Sequence, residues 1–237
     1  MPCSAYLLEY TPNPDGLVEA AARLCYSDIP ASDLLERGAG GRASARFLEN
    51  LWRSGHRSPF EHASFTFGVD GLSRVASHQL VRHRVASYSQ QSQRYVKMGS
   101  PDAAPPDVVI PPSVAANAPA RELFERQAES ARAAYRTLVD MGVPAEDARF
   151  ILPHGWETRL VFTMNARELH HFFGLRLCRR AQWEIRELAR LMLTECRRAA
   201  PLLFGAAGPA CVAGKCGCEE ARPCGRPYKN MEDLLTK

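Results

Sequence analysis

The segment running from Arg82-His83-Arg84 through Tyr88, Gln90 and Gln91 to Ser92-Gln93-Arg94-Tyr95 packs guanidinium, imidazole, amide, hydroxyl and phenol groups closely together. Guanidinium forks match phosphate and carboxylate oxygens, amides read the polar edges of a ring, and phenols stack on its face. Such a set suits a ligand that joins a heterocycle to a few phosphates. Covalent attack is a poorer match, because no base stands beside Ser92 in the sequence to activate its hydroxyl. Between Gly71 and Pro101 there is no Asp or Glu, and Arg74, Arg82, Arg84, Arg94 and Lys97 give the stretch a charge of +5. The whole chain carries +4, so everything outside that stretch sums to −1. A solvated helix face would account for the charge, but not for the interleaved Gln and Tyr. A non-catalytic nucleic-acid-binding module built on residues 74–97 is the competing reading. It predicts steep salt dependence and a wider Lys/Arg surface than the rest of the chain supplies.

Other candidate chemistry is weaker. No G-x-S-x-G elbow or H-E-x-x-H zinc helix occurs, which argues against common hydrolases. His56 and His62 are too loosely spaced, with no neighbouring Cys, to read as a metal pair. Gly38 to Ala43 fits G-x-G-x-x-A on paper, but no buried strand precedes it, so it reads as a flexible loop. Eight cysteines occur, and Cys211, Cys216, Cys218 and Cys224 fall in a Gly- and Pro-rich tail. Their C-x4-C-x-C-x5-C spacing matches no common zinc pattern. Reduced surface thiols are the expectation, with a structural metal as the alternative, and no metal ligand is assigned.

The chain that must position these groups has 237 residues, 46% hydrophobic and 24% charged, enough for one domain with its own core. The absence of a long apolar run and of a secretory leader points to a cytoplasmic protein without membrane contact. Short helices are expected at 17–26 and 44–54, the second stopped by Gly55. Alternation of Phe65, Phe67 and Val69 marks a strand at 64–69, ended by a turn at Asp70-Gly71. Ser73 then caps a helix to about Arg84, on which Gln79, Arg82 and His83 share a face. Residues 100–119 read as a Pro-rich connector. A helix follows at 120–140 with Leu123, Gln127, Ala131, Tyr135 and Leu138 inward, then a strand at 158–164. Asn165 with Glu168 makes a capping box opening the next helix, a last helix covers 181–198, and the tail from 201 to 237 is loop-like. The fold class is α+β, a single domain with an antiparallel-type sheet flanked by helices.

The R-H-R of residues 82–84 followed by seven residues and Ser92, with the S-x-R-Y ending at Tyr95, resembles the motif of the flavin-dependent thymidylate synthases. Three further blocks stand in the family's order: Gly55 to His62, Ala148 to Pro153, and Asn165-Ala166-Arg167 running to Leu175-Arg176. The resemblance covers roughly residues 10–200. It implies a homotetramer with shared sites that makes dTMP from dUMP, using methylenetetrahydrofolate as carbon donor and NADPH as reductant through bound FAD. By that resemblance His56, Ser58, Arg82, His83, Arg84, Gln90, Asn165, Arg167 and His171 fall at flavin-contacting positions. Gln79, Leu80, Val81, Arg82, Gln90, Gln91, Ser92, Gln93, Arg94 and Arg149 fall at dUMP-contacting ones. Arg176 matches the arginine that activates the pyrimidine and is the catalytic candidate. The chain departs from the family pattern at Gln90, where Glu is frequent, and at His78, where Arg is.

Overall fold

The computed structural model describes residues 3–40, 43–97, 108–213, 218 and 221–236. Four strands, β1 (Ser4–Tyr10), β2 (Ser64–Ser73), β3 (Ala86–Gln90) and β4 (Glu157–Asn165), form a sheet in the order β1-β2-β4-β3. The helices in chain order are α1 (Pro14–Leu24), α2 (Ala31–Gly40), α3 (Ala45–Arg53), α4 (Arg74–Leu80) and α5 (Pro112–Ala115). They continue with α6 (Ala118–Asp140), α7 (Ala145–Ala148), α8 (Ala166–Arg176), α9 (Trp183–Ala199) and α10 (Met231–Leu235). The pairing is antiparallel. The Thr66 and Thr163 hydroxyls meet at 2.9 Å, while three residues back, just before β2, and three residues on, just past β4, the Ala166 N–H donates to the Ala63 carbonyl at 2.8 Å. This is the α+β class expected. None of the described helices is long and apolar enough to cross a membrane.

Contacts group the chain into two units, each drawn from several stretches of sequence. The first holds Val69–Arg82 and Ser89–Leu160, and the second holds Ala5–Gly68, His83–Tyr88 and Val161–Lys237. In the first unit, Tyr135 of α6 packs with Ala148, Leu152 and Trp156, and the buried Arg132 guanidinium lies 5.6 Å from the Trp156 ring centre. The buried face of α6 is Ala128, Arg132 and Tyr135, and Leu123 and Gln127, expected inside, are exposed. Arg132 can turn inward because its long apolar stem covers ring surface while its charge stays over a π face. In the second unit, Phe204 packs edge-on against Phe65 and Phe173 and stacks on His170. Each of those phenylalanines is fully buried, contributing about 1.5–3 kcal/mol of transfer free energy.

Several elements differ from the sequence reading. β2 does not turn at Asp70-Gly71 but continues to Ser73: Asp70 pairs with Arg159 at 3.4 Å, and the Arg74 N–H donates to the Trp156 carbonyl at 3.0 Å. Gly71 takes φ +70° within that strand, a conformation glycine adopts without Cβ strain. α4 opens as expected, with Ser73 Oγ accepting from the Ala76 N–H at 3.1 Å, but it ends at Leu80. Gln79, Arg82 and His83 therefore share no helical face. The chain leaves the helix to enter β3, at the end of the strand order, where the Gln91 N–H donates to the Arg159 carbonyl at 2.9 Å. Gly38 to Gly40 close helix α2 and are not a loop, while Gly41 and Arg42 lie outside the described residues. Of the Pro-rich connector, 98–107 lie outside the described residues. Pro112 and Pro119 sit in the first turns of α5 and α6, where a missing N–H costs nothing. The tail is not all loop, since α10 closes it.

Candidate active site

In the second unit, β4 runs directly into α8. Asn165 Oδ1 accepts from the Glu168 N–H at 2.9 Å, the N-cap half of the expected box. The Glu168 carboxylate does not fold back on the cap; it reaches His83 Nδ1 at 2.9 Å. His83 is 3% exposed in irregular chain between α4 and β3, with its neighbours Arg82 and Arg84 both exposed. Its ring packs edge-on against Phe172 at 4.9 Å, and its carbonyl accepts from the Tyr88 hydroxyl at 2.9 Å. Arg176, one turn beyond Phe172 on α8, donates its Nε–H to His83 Nε2 at 3.1 Å.

That pair of bonds fixes the imidazole's proton. A guanidinium only donates, so Nε2 supplies the lone pair and Nδ1 carries the hydrogen given to Glu168. Burial, then the charges of Arg176 and His171, lower the His83 pKa to about 4. Burial raises the Glu168 carboxyl, and His171 and Arg167 pull it back down. Ligand atoms of His83, Glu168 and His171 lie within 4.8 Å of one another, a spacing a cation could use. Here the His83 lone pair is already committed to Arg176, so His83 and Glu168 serve to orient that guanidinium.

A cavity of about 1310 Å³ opens in the same unit, lined among others by Trp52, Arg57, Asn165, Arg167, His171 and Arg179. It exceeds the roughly 300–1,000 Å³ of an ordinary small-ligand pocket. The Nε atoms of Arg57 and Arg179 are buried without a hydrogen-bond partner. The cavity wall carries the guanidinium-bearing residues Arg57, Arg167 and Arg179, a cationic lining that fits a large phosphate-bearing group. Arg57 lies 4.4 Å over the Trp52 ring, and Trp52 stacks at 3.9 Å on His170. The buried His170 donates from Nε2 to the Leu203 carbonyl at 2.8 Å, and burial foremost lowers its pKa to about 4. Arg167 is ion-paired with Glu61.

The first unit holds a second cluster. Gln90 donates from Nε2 to Ser77 Oγ at 3.2 Å and to Thr158 Oγ1 at 3.1 Å, while Ser77 gives its own hydrogen to the Arg74 carbonyl. Arg74 donates to Gln93 Oε1 at 3.2 Å. Burial, then the charge of Arg149, lowers the Arg74 pKa. Arg149 Nε donates to the Glu146 carbonyl at 2.9 Å, and Arg94 Nε meets the Glu146 carboxylate at 2.6 Å. Arg74, Arg94 and Arg149 thus supply several guanidinium groups against one carboxylate, an arrangement that suits a phosphate ester.

The residues singled out from sequence divide between the units. Gln79, Leu80, Val81, Arg82, Gln90, Gln91, Ser92, Gln93, Arg94 and Arg149 lie in the first, and His56, Ser58, His83, Arg84, Asn165, Arg167, His171 and Arg176 in the second. Asn165, Arg167 and His171 line the cavity, whereas His56, Ser58 and Arg84 are exposed outside its lining. The Leu80 side chain is fully buried, which leaves only its backbone for a ligand. Sequence reasoning missed Arg57, Arg74 and Arg179, and took Glu168 for a capping residue alone. Arg74 stood in the acid-free stretch and could have been included on that ground.

A family model described as "Thymidylate synthase complementing protein" matches residues 6–202. A flavin-dependent thymidylate synthase of Geobacter sulfurreducens is 53% identical over 220 residues, covering 93% of each chain. One from Pyrococcus horikoshii is 41% identical over 239 residues, covering 98% of each. Among solved structures, a UMP/dUMP methylase from Streptomyces cacaoi bound with 5-Br dUMP superposes with a TM-score of 0.72 at 28% identity. That match covers 86% of this chain and 93% of the other.

Proposed function

The chain belongs to the flavin-dependent thymidylate synthases, a family of methyl-transferring enzymes, and from that membership we propose that it converts dUMP to dTMP. In this reading methylenetetrahydrofolate supplies the carbon, NADPH is the reductant and FAD is the bound cofactor. The reading extends to a cytoplasmic homotetramer in which neighbouring subunits complete each site. The observation that carries it is the Arg176–His83–Glu168 chain, whose Glu168 lies in the wall of a cavity also lined by Arg57, Arg167 and Arg179.

When bound, FAD supplies the hydride chemistry. The protein's own share is binding, orientation and electrostatics. Arg57, Asn165, Arg167 and His171 would hold the cofactor's polar atoms from the cavity wall. Arg74, Arg94 and Arg149, with Gln90, would hold the phosphate and polar edges of dUMP, in keeping with the basic, acid-free stretch. Arg176 would stabilise the negative charge that develops toward N3 of the uracil as C5 becomes nucleophilic. Its guanidinium plane is fixed through Nε on His83, and His83 can accept that bond only while neutral. Glu168 therefore acts through His83 as a positioning residue. Ser92 would contact the substrate without attacking it.

The test is dTMP formation from dUMP, methylenetetrahydrofolate and NADPH under low oxygen, with and without added FAD. FAD-dependent product is expected. Absence of product with FAD and dUMP both bound would reassign the donor or carrier, and failure to bind either would overturn the reading. Light scattering on the purified protein tests the tetramer.

A further inference from the structure

The C-terminal tail brings together a set of thiols that the reaction above does not use. Cys178 stands two residues beyond α8, whereas Cys211, Cys218 and Cys224 belong to the tail, past residue 202 where the family match ends. All four line the same cavity of the second unit, and all four are free thiols. We propose that Cys178, Cys211, Cys218 and Cys224 bind one zinc ion, which fastens the tail to the end of α8.

The backbone already delivers the tail to that place. The Gly208 carbonyl lies 3.8 Å from where a Cβ on Gly174 would stand, so the tail packs against the last turns of α8. Further along, Leu234 is buried, Arg190 donates to the Leu235 carbonyl at 3.2 Å, and Arg179 pairs with Asp233 at 3.6 Å. Between these anchors the chain turns at Gly225, whose φ of +69° aims the Arg226 N–H at Cys224 Sγ, 3.4 Å away. Such outer bonds from an amide to sulfur orient ligands around a bound ion. Arg179 and Arg226 line the cavity beside the thiols. They would offset the net double negative charge of four thiolates on Zn²⁺. Tyr228, stacked under Arg179 at 4.0 Å, lines the same cavity as the thiols.

Binding would release four protons: four S–H groups plus Zn²⁺ give a tetrathiolate ion, with no oxidant required. Among the described residues no three sulfurs lie within 4.8 Å of one another. A tetrahedral site with Zn–S bonds of about 2.3 Å needs them about 3.8 Å apart. The tail loops must therefore draw in on the ion, as expected where site formation and local folding are one event. The tail spacing alone gave no zinc pattern because Cys178 is remote in sequence, and Cys216 lies outside the described residues.

The experiment uses the full chain, reduced under argon, equilibrated with zinc sulfate and desalted. Elemental analysis should find one zinc per chain. It should fall about tenfold or more in Cys178→Ser and in Cys224→Ser while Cys25→Ser keeps it. Alkylation mapped by mass spectrometry gives a readout that needs no variant to fold. Zinc should shield Cys178, Cys211, Cys218 and Cys224 but not Cys25, and a chelator should remove the shielding. Equal labelling with and without zinc, a disulfide among the four, or iron retained in place of zinc would overturn the proposal. None of these outcomes depends on dTMP formation, so the two readings fail separately.

Discussion

Arg176 Nε and His83 Nε2 are joined by a hydrogen bond of 3.1 Å, and this one contact determines both the imidazole tautomer and the direction of the guanidinium. Arg176→Ala is therefore expected to lower kcat by about 10²–10³-fold, the usual cost of a donor aimed at developing charge. Flavin should stay bound, as read from the absorbance ratio after gel filtration. Loss of flavin instead would make Arg176 a structural residue.

Glu168 acts one bond further back, so its variants should split by hydrogen-bonding capacity. Glu168→Leu leaves the His83 Nδ1–H without an acceptor and should reduce kcat by about 10–100-fold with little change in KM for dUMP. Glu168→Gln keeps an accepting oxygen and should recover most of that loss. The start of α8 survives either change because Asn165 is bonded to the Glu168 backbone, not its side chain. Equal losses in both variants would show that Glu168 matters for its charge.

Gln90 is one of two positions, with His78, at which the resemblance marks a departure from the family pattern, and its bonds here are those of an amide donor. Ser77 spends its hydrogen on the Arg74 carbonyl, so its oxygen needs a donor, which the Gln90 amide provides. Gln90→Glu removes that donor and should cost about 1–3 kcal/mol. Scanning calorimetry should show Tm lowered by roughly 3–8 °C. An unchanged Tm would mean that the site rearranges around a carboxylate.

Burial of His170 couples stability to pH. Its pKa falls from 6.5 in the unfolded chain to about 4 in the folded one, so unfolding takes up a proton throughout that window. Stability should thus fall as pH drops from about 6.5 toward 4, with a slope of up to about 1.4 kcal/mol per pH unit from this group. His83 adds in the same sense, while the raised carboxyl of Glu168 works against both. Urea unfolding at pH 7, 6 and 5 should show a shallower dependence in His170→Gln, and an identical slope would remove His170 as the source.

Where local signals and tertiary demands agreed, the sequence was readable. Ser44, Ser73 and Asn165 each cap the helix their chemistry announces, and the Phe65/Phe67 and Leu160/Phe162 alternations are buried strand faces. What escaped was decided by contacts distant in the chain. β3 is a strand because β4 pairs with it, although its own residues are mostly polar. His83 looked like part of a cationic helix end, yet its place is set by Glu168 and Arg176. The division of the candidate residues between two units could not be read from a motif in which Arg82 and His83 are adjacent. The motif's residue types pointed to the chemistry proposed, whereas the tautomer of His83 and the placing of Arg57 and Arg179 in one cavity wall needed the folded geometry.

The Tyr88 hydroxyl closes a short loop on the His83 carbonyl at 2.9 Å, holding the imidazole inward while Arg84 and Val85 face out. That clasp makes the chain length between His83 and Tyr88 a requirement of its own, beside the identity of the two residues. A single residue inserted or deleted between them would rotate His83 toward water and bring a neighbour into its place, breaking its bonds to Glu168 and Arg176.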